Sequence, residues 1–259
     1  MRLANKVALV TGAASERSIG WGIAKALAEE GADIVVNDVV QGEQLGLRAT
    51  EIMSLGRRAL AVTADVTNAE AVDEMMALII ERFGHLDIVA SNAGVIRWEN
   101  FLNITPENMR AIVDVNIMGN VNICRAVAKQ LIAQKQGGRI IITSSVQADY
   151  QFPISTVYGA TKKAMHTFVG GLATELAEYQ ITVNHIGPGW VRSSLNDPAP
   201  GQQSVEDIEQ QRRSIPLRRD GLIEEMGRAV VYFATADGDY TTGAFIRVDG
   251  GLGIGKYVR

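Results

Sequence analysis

Seven short runs rich in β-branched residues, separated by longer segments of helical period, constrain this chain more than any other feature. The runs are KVALVT (6–11), DIVVND (33–38), ALAVTAD (59–65), LDIVASN (86–92), RIIITSS (139–145), ITVNHI (181–186) and AFIRVDG (244–250). Most are nearly continuous apolar stretches, the mark of strands covered on both faces. Between them GIAKALAEEGA, AVDEMMALIIERFG and VYGATKKAMHTFVGGLATELAEY carry apolar residues three and four apart, as amphipathic helices do. This alternation predicts βαβ units and an α/β fold with one doubly wound parallel sheet. No Pro/Gly/Ser linker, low-complexity tract or further repeat divides the chain. Residues 1–259 are therefore expected to form a single domain, and 47% apolar residues suffice for its core. Residues 192–221 interrupt the alternation and hold three of the six prolines. An irregular insert there reads as a lid over substrate.

Charge and composition exclude several partners. A formal net charge of −4, with Lys and Arg scattered among Asp and Glu, gives no basic field for nucleic acid or anionic lipid. Cys124 is the sole cysteine and sits in the helical pattern VNICRAVAKQL, which predicts a buried thiol and suits a reducing compartment. The opening MRLANKVALVTG has too short an apolar run for a signal peptide or membrane span, so a soluble cytoplasmic protein is expected. His85, His166 and His185 lack metal-ligand spacing, and no metal is expected. GGLGIGK (250–256) imitates a phosphate loop but lacks the hydroxyl residue and the following helix. Arg212, Arg213, Arg218 and Arg219 lie among Glu206, Asp207, Glu209 and Asp220, as on a mixed solvated surface.

The stretch VTGAASERSIGWGIAKAL (10–27) links the first strand to the first helix. Seven residues separate Gly12 from Gly20, more than in the usual glycine turns of nucleotide-binding units. Gly12 would allow a sharp exit, while Gly20 and Gly22 would allow close approach of backbone to phosphate and of helix to strand. The helix's first-turn N–H groups could then meet a pyrophosphate.

In SVQADYQFPISTVYGATKKA, Ser145 precedes Tyr158 by thirteen residues and Lys162 follows by four. Tyr158 and Lys162 share a helix face, and Ser145 ends a strand at the sheet's carboxyl edge, where ligands bind. An ammonium about 4 Å from a phenol, at an effective dielectric of about 20, would favour the phenolate by about 4 kcal/mol, or about three pK units. Tyr158 is then expected to exchange protons near neutral pH, with Ser145 holding a substrate oxygen and Lys162 reaching a cofactor ribose.

Taken in order, Thr11-Gly12 with Gly20 and Gly22, Asp65-Val66, Asn92-Ala93-Gly94, Asn116, Ser145, Tyr158-x3-Lys162, Pro188-Gly189 and TGAFIRVDGG resemble the short-chain dehydrogenase/reductase family across essentially the whole chain. The resemblance implies a seven-stranded parallel sheet, a nicotinamide cofactor, and a site of Asn116, Ser145, Tyr158 and Lys162, with Asn116 at a helix kink holding a water. It also implies that Asp65 and Val66 flank adenine, that Asn92 to Gly94 line the cleft, and that Pro188, Gly189 and Val191 border the nicotinamide. Ser193 or Ser194 stands where a Thr commonly contacts the nicotinamide amide. Relatives are commonly tetramers, with 105–135, 155–179 and the tail IGKYVR as suitable surfaces. The opening loop departs from the family pattern: Ser18 replaces the middle glycine, two residues are inserted, and SIGWGIA resembles enoyl-acyl-carrier-protein reductases. Those enzymes place six residues between Tyr and Lys, against three here, so carbonyl/alcohol chemistry is preferred. Ser18, through its hydroxyl or backbone N–H, and Ile19 are expected to serve the phosphate.

Asp38, ending the second strand, would accept bonds from ribose hydroxyls and repel a 2′-phosphate, which favours NAD over NADP; Arg17 argues the other way. Arg97 and Trp98, just past the Asn-Ala-Gly motif, are expected to touch substrate, the Arg hinting at a hydroxylated or acidic ligand. The expected activity is NAD-dependent interconversion of a secondary alcohol and a ketone or lactone. Sugars and polyols come first, since NAD suits oxidation; a 3-oxoacyl thioester is the alternative and a hydroxysteroid-type alcohol the third. A non-catalytic dinucleotide-binding protein is the remote reading.

Overall fold

Val7–Thr11 (β1) is buried along its whole length, and the apolar runs that follow make it the inside of a three-layer sandwich. The computed structural model describes residues 1–40, 42–196 and 205–254. From β1 the chain passes through α1 (Ile19–Glu29), β2 (Asp33–Asp38), α2 (Glu43–Ser54), β3 (Ala59–Thr63), α3 (Ala69–Phe83) and β4 (Ile88–Ser91). It continues through α4 (Pro106–Val113), α5 (Asn120–Gln134), β5 (Gly138–Thr143), α6 (Thr156–Leu176), β6 (Ile181–Pro188), α7 (Val205–Ser214), α8 (Ile223–Ala234) and β7 (Phe245–Val248). The seven strands form one sheet in the order β3-β2-β1-β4-β5-β6-β7, with every pair parallel. Strand order reverses between β1 and β4, which opens a crevice at their carboxyl ends.

Two cores cover the sheet's faces. On one, Ile23 and Leu27 of α1 meet Val230 and Phe233 of α8; on the other, Met75 and Ile79 of α3 pack with Ile123 and Val127 of α5 and Val169 of α6. The α1–α8 crossing depends on two glycines. A Cβ on Gly22 would sit 2.5 Å from the Ile223 carbonyl oxygen, and one on Gly227 would sit 2.5 Å from the Gly22 oxygen. Gly22 thus serves helix-on-helix packing, a role beside those expected from the sequence.

Two further departures matter for the site. The segment 105–135 is broken by a π-helical turn, Asp114–Gly119, between α4 and α5. The insert 192–221 is more regular than expected: a short 3-10 turn, Ser194–Asn196, precedes α7. Glu206 and Asp207 in the first turn of α7 and Arg212 and Arg213 in its last complement the helix dipole. The neck of this insert is closed by a bridge between Val191 and Gly221. Residues 197–204 of the proposed lid and 255–259 of the proposed contact tail lie outside the described residues. Among the described residues, no helix is long and apolar enough to cross a membrane.

Candidate active site

Side-chain bonds stitch the strand ends at the switch point. Thr11 Oγ1 accepts from the backbone N–H groups of Asn92 and Ala93, both at 2.9 Å, and Asn92 Nδ2 donates to the Thr11 carbonyl at 3.0 Å. Gly12 then turns the chain away with φ of +68°. A Cβ on Gly20 would collide with the Gly12 carbonyl and Asn92 Nδ2, so only glycine fits this cradle. Ser18 caps α1, its Oγ accepting from Trp21 N at 3.0 Å. The Ser18 backbone N–H is already given to the Ser15 carbonyl at 2.9 Å, while its O–H and the N–H groups of Ile19 and Gly20, which have no intrahelical acceptor, remain for an anion. The extra loop residues reach across to the insert, where Ser194 N donates to the Arg17 carbonyl at 3.1 Å.

A cleft of about 400 Å³ runs from this cradle along the strand ends. Gly12, Ser18, Ile19, Asp38, Asp65, Val66, Asn92, Ala93 and Gly94 line it, with Ser145, Tyr158, Lys162, Pro188, Gly189 and Ser193 farther on. Asp38 is held by backbone donors: Ala14 N to one carboxylate oxygen at 3.0 Å and Val39 N to the other at 2.8 Å. Arg17 is exposed and does not line the cleft, and neither do Gly20, Val191, Asn116 and Arg97. Ser193 is buried, and its hydroxyl has no hydrogen-bond partner among the described residues. That orphaned hydroxyl beside Pro188 and Gly189, the Gly20 cradle and the open N-terminus of α1 fit an extended dinucleotide.

Tyr158 and Lys162 lie one turn apart in α6, both buried, and Ser145 follows β5 by two residues. Lys162 Nζ donates to the Thr143 carbonyl at 2.9 Å and stands 5.4 Å from the centre of the Tyr158 ring. Burial pushes the Tyr158 phenol up to about 12, with the nearby Ser145 hydroxyl pulling the other way, and burial pushes Lys162 down to about 8. The expected near-neutral phenol is thus corrected: burial raises it instead, and Lys162 keeps its charge while one of its N–H groups goes to the Thr143 carbonyl.

Asn116 lies in the π turn behind the cleft. Its Oδ1 accepts from Val95 N at 2.9 Å, and its Nδ2 donates to the Val95 carbonyl at 2.9 Å and Thr161 Oγ1 at 3.2 Å. The amide thus clamps the chain after Gly94 against α6. Gly94 adjoins it closely: a Cβ there would lie 3.5 Å from Lys162 Nζ.

At the other end of the cleft the lining turns apolar. Trp98 and Trp190 face each other with ring centres 6.1 Å apart, and Phe152, Val146 and Leu252 join them. Arg97 instead donates to the Ile96 carbonyl at 3.0 Å and borders a separate small cavity with Glu99 and Phe101. Sequence reasoning missed Gln147, Phe152 and Trp190; the available signal was position, since each follows a strand's carboxyl end.

Comparison with known proteins adds the following. A family model described as enoyl-(acyl carrier protein) reductase matches residues 12–253. Versicolorin reductase stcU of Emericella nidulans is 36% identical over 259 residues, covering 96% of each chain. Among solved structures, a short-chain type dehydrogenase/reductase from Mycobacterium marinum superposes with a TM-score of 0.89 at 33% identity, over 96% of each chain. A gluconate 5-dehydrogenase from Burkholderia cenocepacia J2315, in complex with NADP and tartrate, gives 0.89 at 32% identity over 97% of this chain and 96% of that one.

Proposed function

We propose that this chain, which belongs to the short-chain dehydrogenase/reductase family, is an NAD-dependent oxidoreductase interconverting a secondary alcohol and the matching ketone. The observation that carries the reading is convergence: Ser145, Tyr158 and Lys162 line the same cleft as the Gly12–Ile19 cradle and Asp38. When bound, a nicotinamide cofactor supplies or takes up the hydride. Ile19 and Gly20 N–H would hold its pyrophosphate, Asp38 its adenosine ribose, and the Ser193 hydroxyl its amide. Tyr158, protonated at neutral pH by its burial, donates to the carbonyl oxygen in reduction, and Ser145 holds that oxygen in line. Lys162, anchored on the Thr143 carbonyl, places positive charge beside the ring.

Relatives point in more than one direction. NADP is bound by the Burkholderia gluconate 5-dehydrogenase, so the choice of NAD rests on Asp38 in this chain. The enoyl-reductase description of the family model is opposed by the three-residue Tyr158–Lys162 spacing and by Ser145. Gluconate dehydrogenase speaks for a polyhydroxylated substrate and versicolorin reductase for a different class; Arg97, which favoured a hydroxylated or acidic ligand, stands outside the cleft. We also propose a cytoplasmic setting, supported by the single buried thiol of Cys124, and a homotetramer, to be checked by light scattering.

The test is Tyr158→Phe. Turnover of ketone with NADH is expected to fall by about 10²- to 10⁴-fold while NADH affinity, read by fluorescence, stays within about threefold. Wild-type turnover in the variant would remove Tyr158 from the chemistry. A wild-type protein that binds NADH and turns over nothing in a broad alcohol and ketone panel would be a binding protein instead.

A further inference from the structure

We propose that the substrate is a flat cyclic ketone, aromatic or fused-ring, or its alcohol, seated on a wall of Trp98, Phe152 and Trp190. This rests on the oxidoreductase reading above and names the substrate class of the same cleft.

The wall is assembled from three separate loops, after β4, β5 and β6, which bring one aromatic residue each to the carboxyl edge beside Ser145 and Tyr158. The two indoles meet at 6.1 Å with planes tilted by 42°, too close to admit a ring between them, so they present a continuous bent surface. Phe152 extends it and is itself braced edge-on by Tyr150 at 5.2 Å.

The wall is held before any ligand arrives. Gly221 N donates to the Trp190 carbonyl at 2.8 Å, and Gly189 N donates to the Val248 carbonyl at 3.1 Å, fixing the chain on both sides of the indole. Next to Trp98, Glu99 N donates to the Ile154 carbonyl at 2.8 Å. Preorganised aromatic surface of this kind binds without a large ordering cost.

Charge argues the same way. The charged side chains lining the cleft, among the described residues, are Asp38, Asp65 and Lys162. The two carboxylates belong to the β2 and β3 end, and Lys162 is buried beneath the Tyr158 ring and tied to the Thr143 carbonyl. Among the described residues, then, no cation other than Lys162 lines the cleft to receive a hydroxy acid or a phosphorylated carrier. Beyond Ser145 and Tyr158, Gln147 lines the cleft with its Oε1 already accepting from Ser155 Oγ at 2.7 Å, and Ser194 adds one hydroxyl. A polyol would leave most of its hydroxyls unpaired against indole, whereas a ring ketone needs one carbonyl contact and apolar area.

The experiment measures kcat/KM for 2-tetralone, 2,3-butanedione and an acetoacetyl thioester with NADH, and for sorbitol and gluconate with NAD. 2-Tetralone is expected to exceed sorbitol, gluconate and the thioester at least about tenfold. Trp98→Ala and Trp190→Ala should each lower the 2-tetralone/2,3-butanedione ratio of kcat/KM about tenfold, mainly through KM, and Trp190→Phe should restore most of it, which separates ring loss from misfolding. Preference for a polyol, acid or thioester, or an unchanged ratio in the alanine variants, overturns the proposal while leaving the oxidoreductase intact. If nothing is turned over, titration of the NADH-loaded protein with 2-naphthol decides. Binding lost in both alanine variants keeps the aromatic subsite although the enzyme reading falls; no binding to the wild type overturns both.

Discussion

At Asp38 the backbone has done the orienting in advance. Ala14 N and Val39 N each hold one carboxylate oxygen, so the charge stays at the cleft's end and cannot swing aside for a phosphate. Asp38→Ala is expected to lower kcat/KM for NAD by about 10- to 100-fold, the worth of a charged hydrogen bond, and to move the NAD/NADP ratio toward NADP. An unchanged ratio in steady-state kinetics would assign the choice elsewhere. Tyr158 and Lys162 teach a complementary point about single residues. Their types and spacing were readable, and so was their shared helix face. The direction of their proton affinities was not, because it depends on how deeply both are buried and on Thr143, nineteen residues before Lys162, offering its carbonyl.

Among elements, the crossing of α1 and α8 is the contact with least tolerance. Gly22→Val would drive side-chain atoms into the Ile223 backbone, and overpacking of this kind costs about 1–3 kcal/mol or more, readable as a lower urea midpoint. Gly46→Ala in α2, where a Cβ meets nothing within 4 Å, is the matched control and should hold or raise the midpoint. The reason sequence reading placed the strands and overlooked some helices is physical. Strands such as Val7–Thr11 are apolar throughout because both faces are covered. By contrast α2 buries Leu45, Arg48, Ala49 and Ile52, and α7 reads VEDIEQQRRS, so both are poor in apolar residues. The same logic separates the two halves of the cleft. The cradle was legible because Gly12, Gly20 and the capping Ser18 answer to local backbone geometry. The aromatic wall was legible only at Trp98, because Phe152 and Trp190 lie far along the chain and meet it only when β4, β5 and β6 align.

For the molecule as a whole, acid stability should be set first by a histidine remote from the cradle. His185 of β6 is buried, stacks on Phe245 of β7 at 4.7 Å, and meets His166 of α6 edge-on at 4.5 Å. Among the described residues neither ring nitrogen makes a well-formed hydrogen bond, the nearest influence being the Ala244 backbone, which opposes the shift. Burial, aided by the His166 charge, lowers its pKa from the ordinary 6.5 to about 4, and burial lowers His166 as well. The unfolded chain therefore binds protons that the native one refuses between these values, so stability is full above about pH 6.5 and declines as pH falls toward 4. For His185 the decline amounts to about 3 kcal/mol by pH 4. Carboxylate pairs act in a lower window: Arg219 beside Glu225 lowers that acid from 4.5 to about 2, so its contribution is lost only as pH falls between those values. Urea unfolding at pH 7.5, 6 and 5 should thus show a loss already under way where the carboxylates are still ionised. His185→Leu, apolar and without a titrating ring, should flatten that upper limb; if the variant declines between pH 6.5 and 5 as steeply as the wild type, the histidine is not the cause.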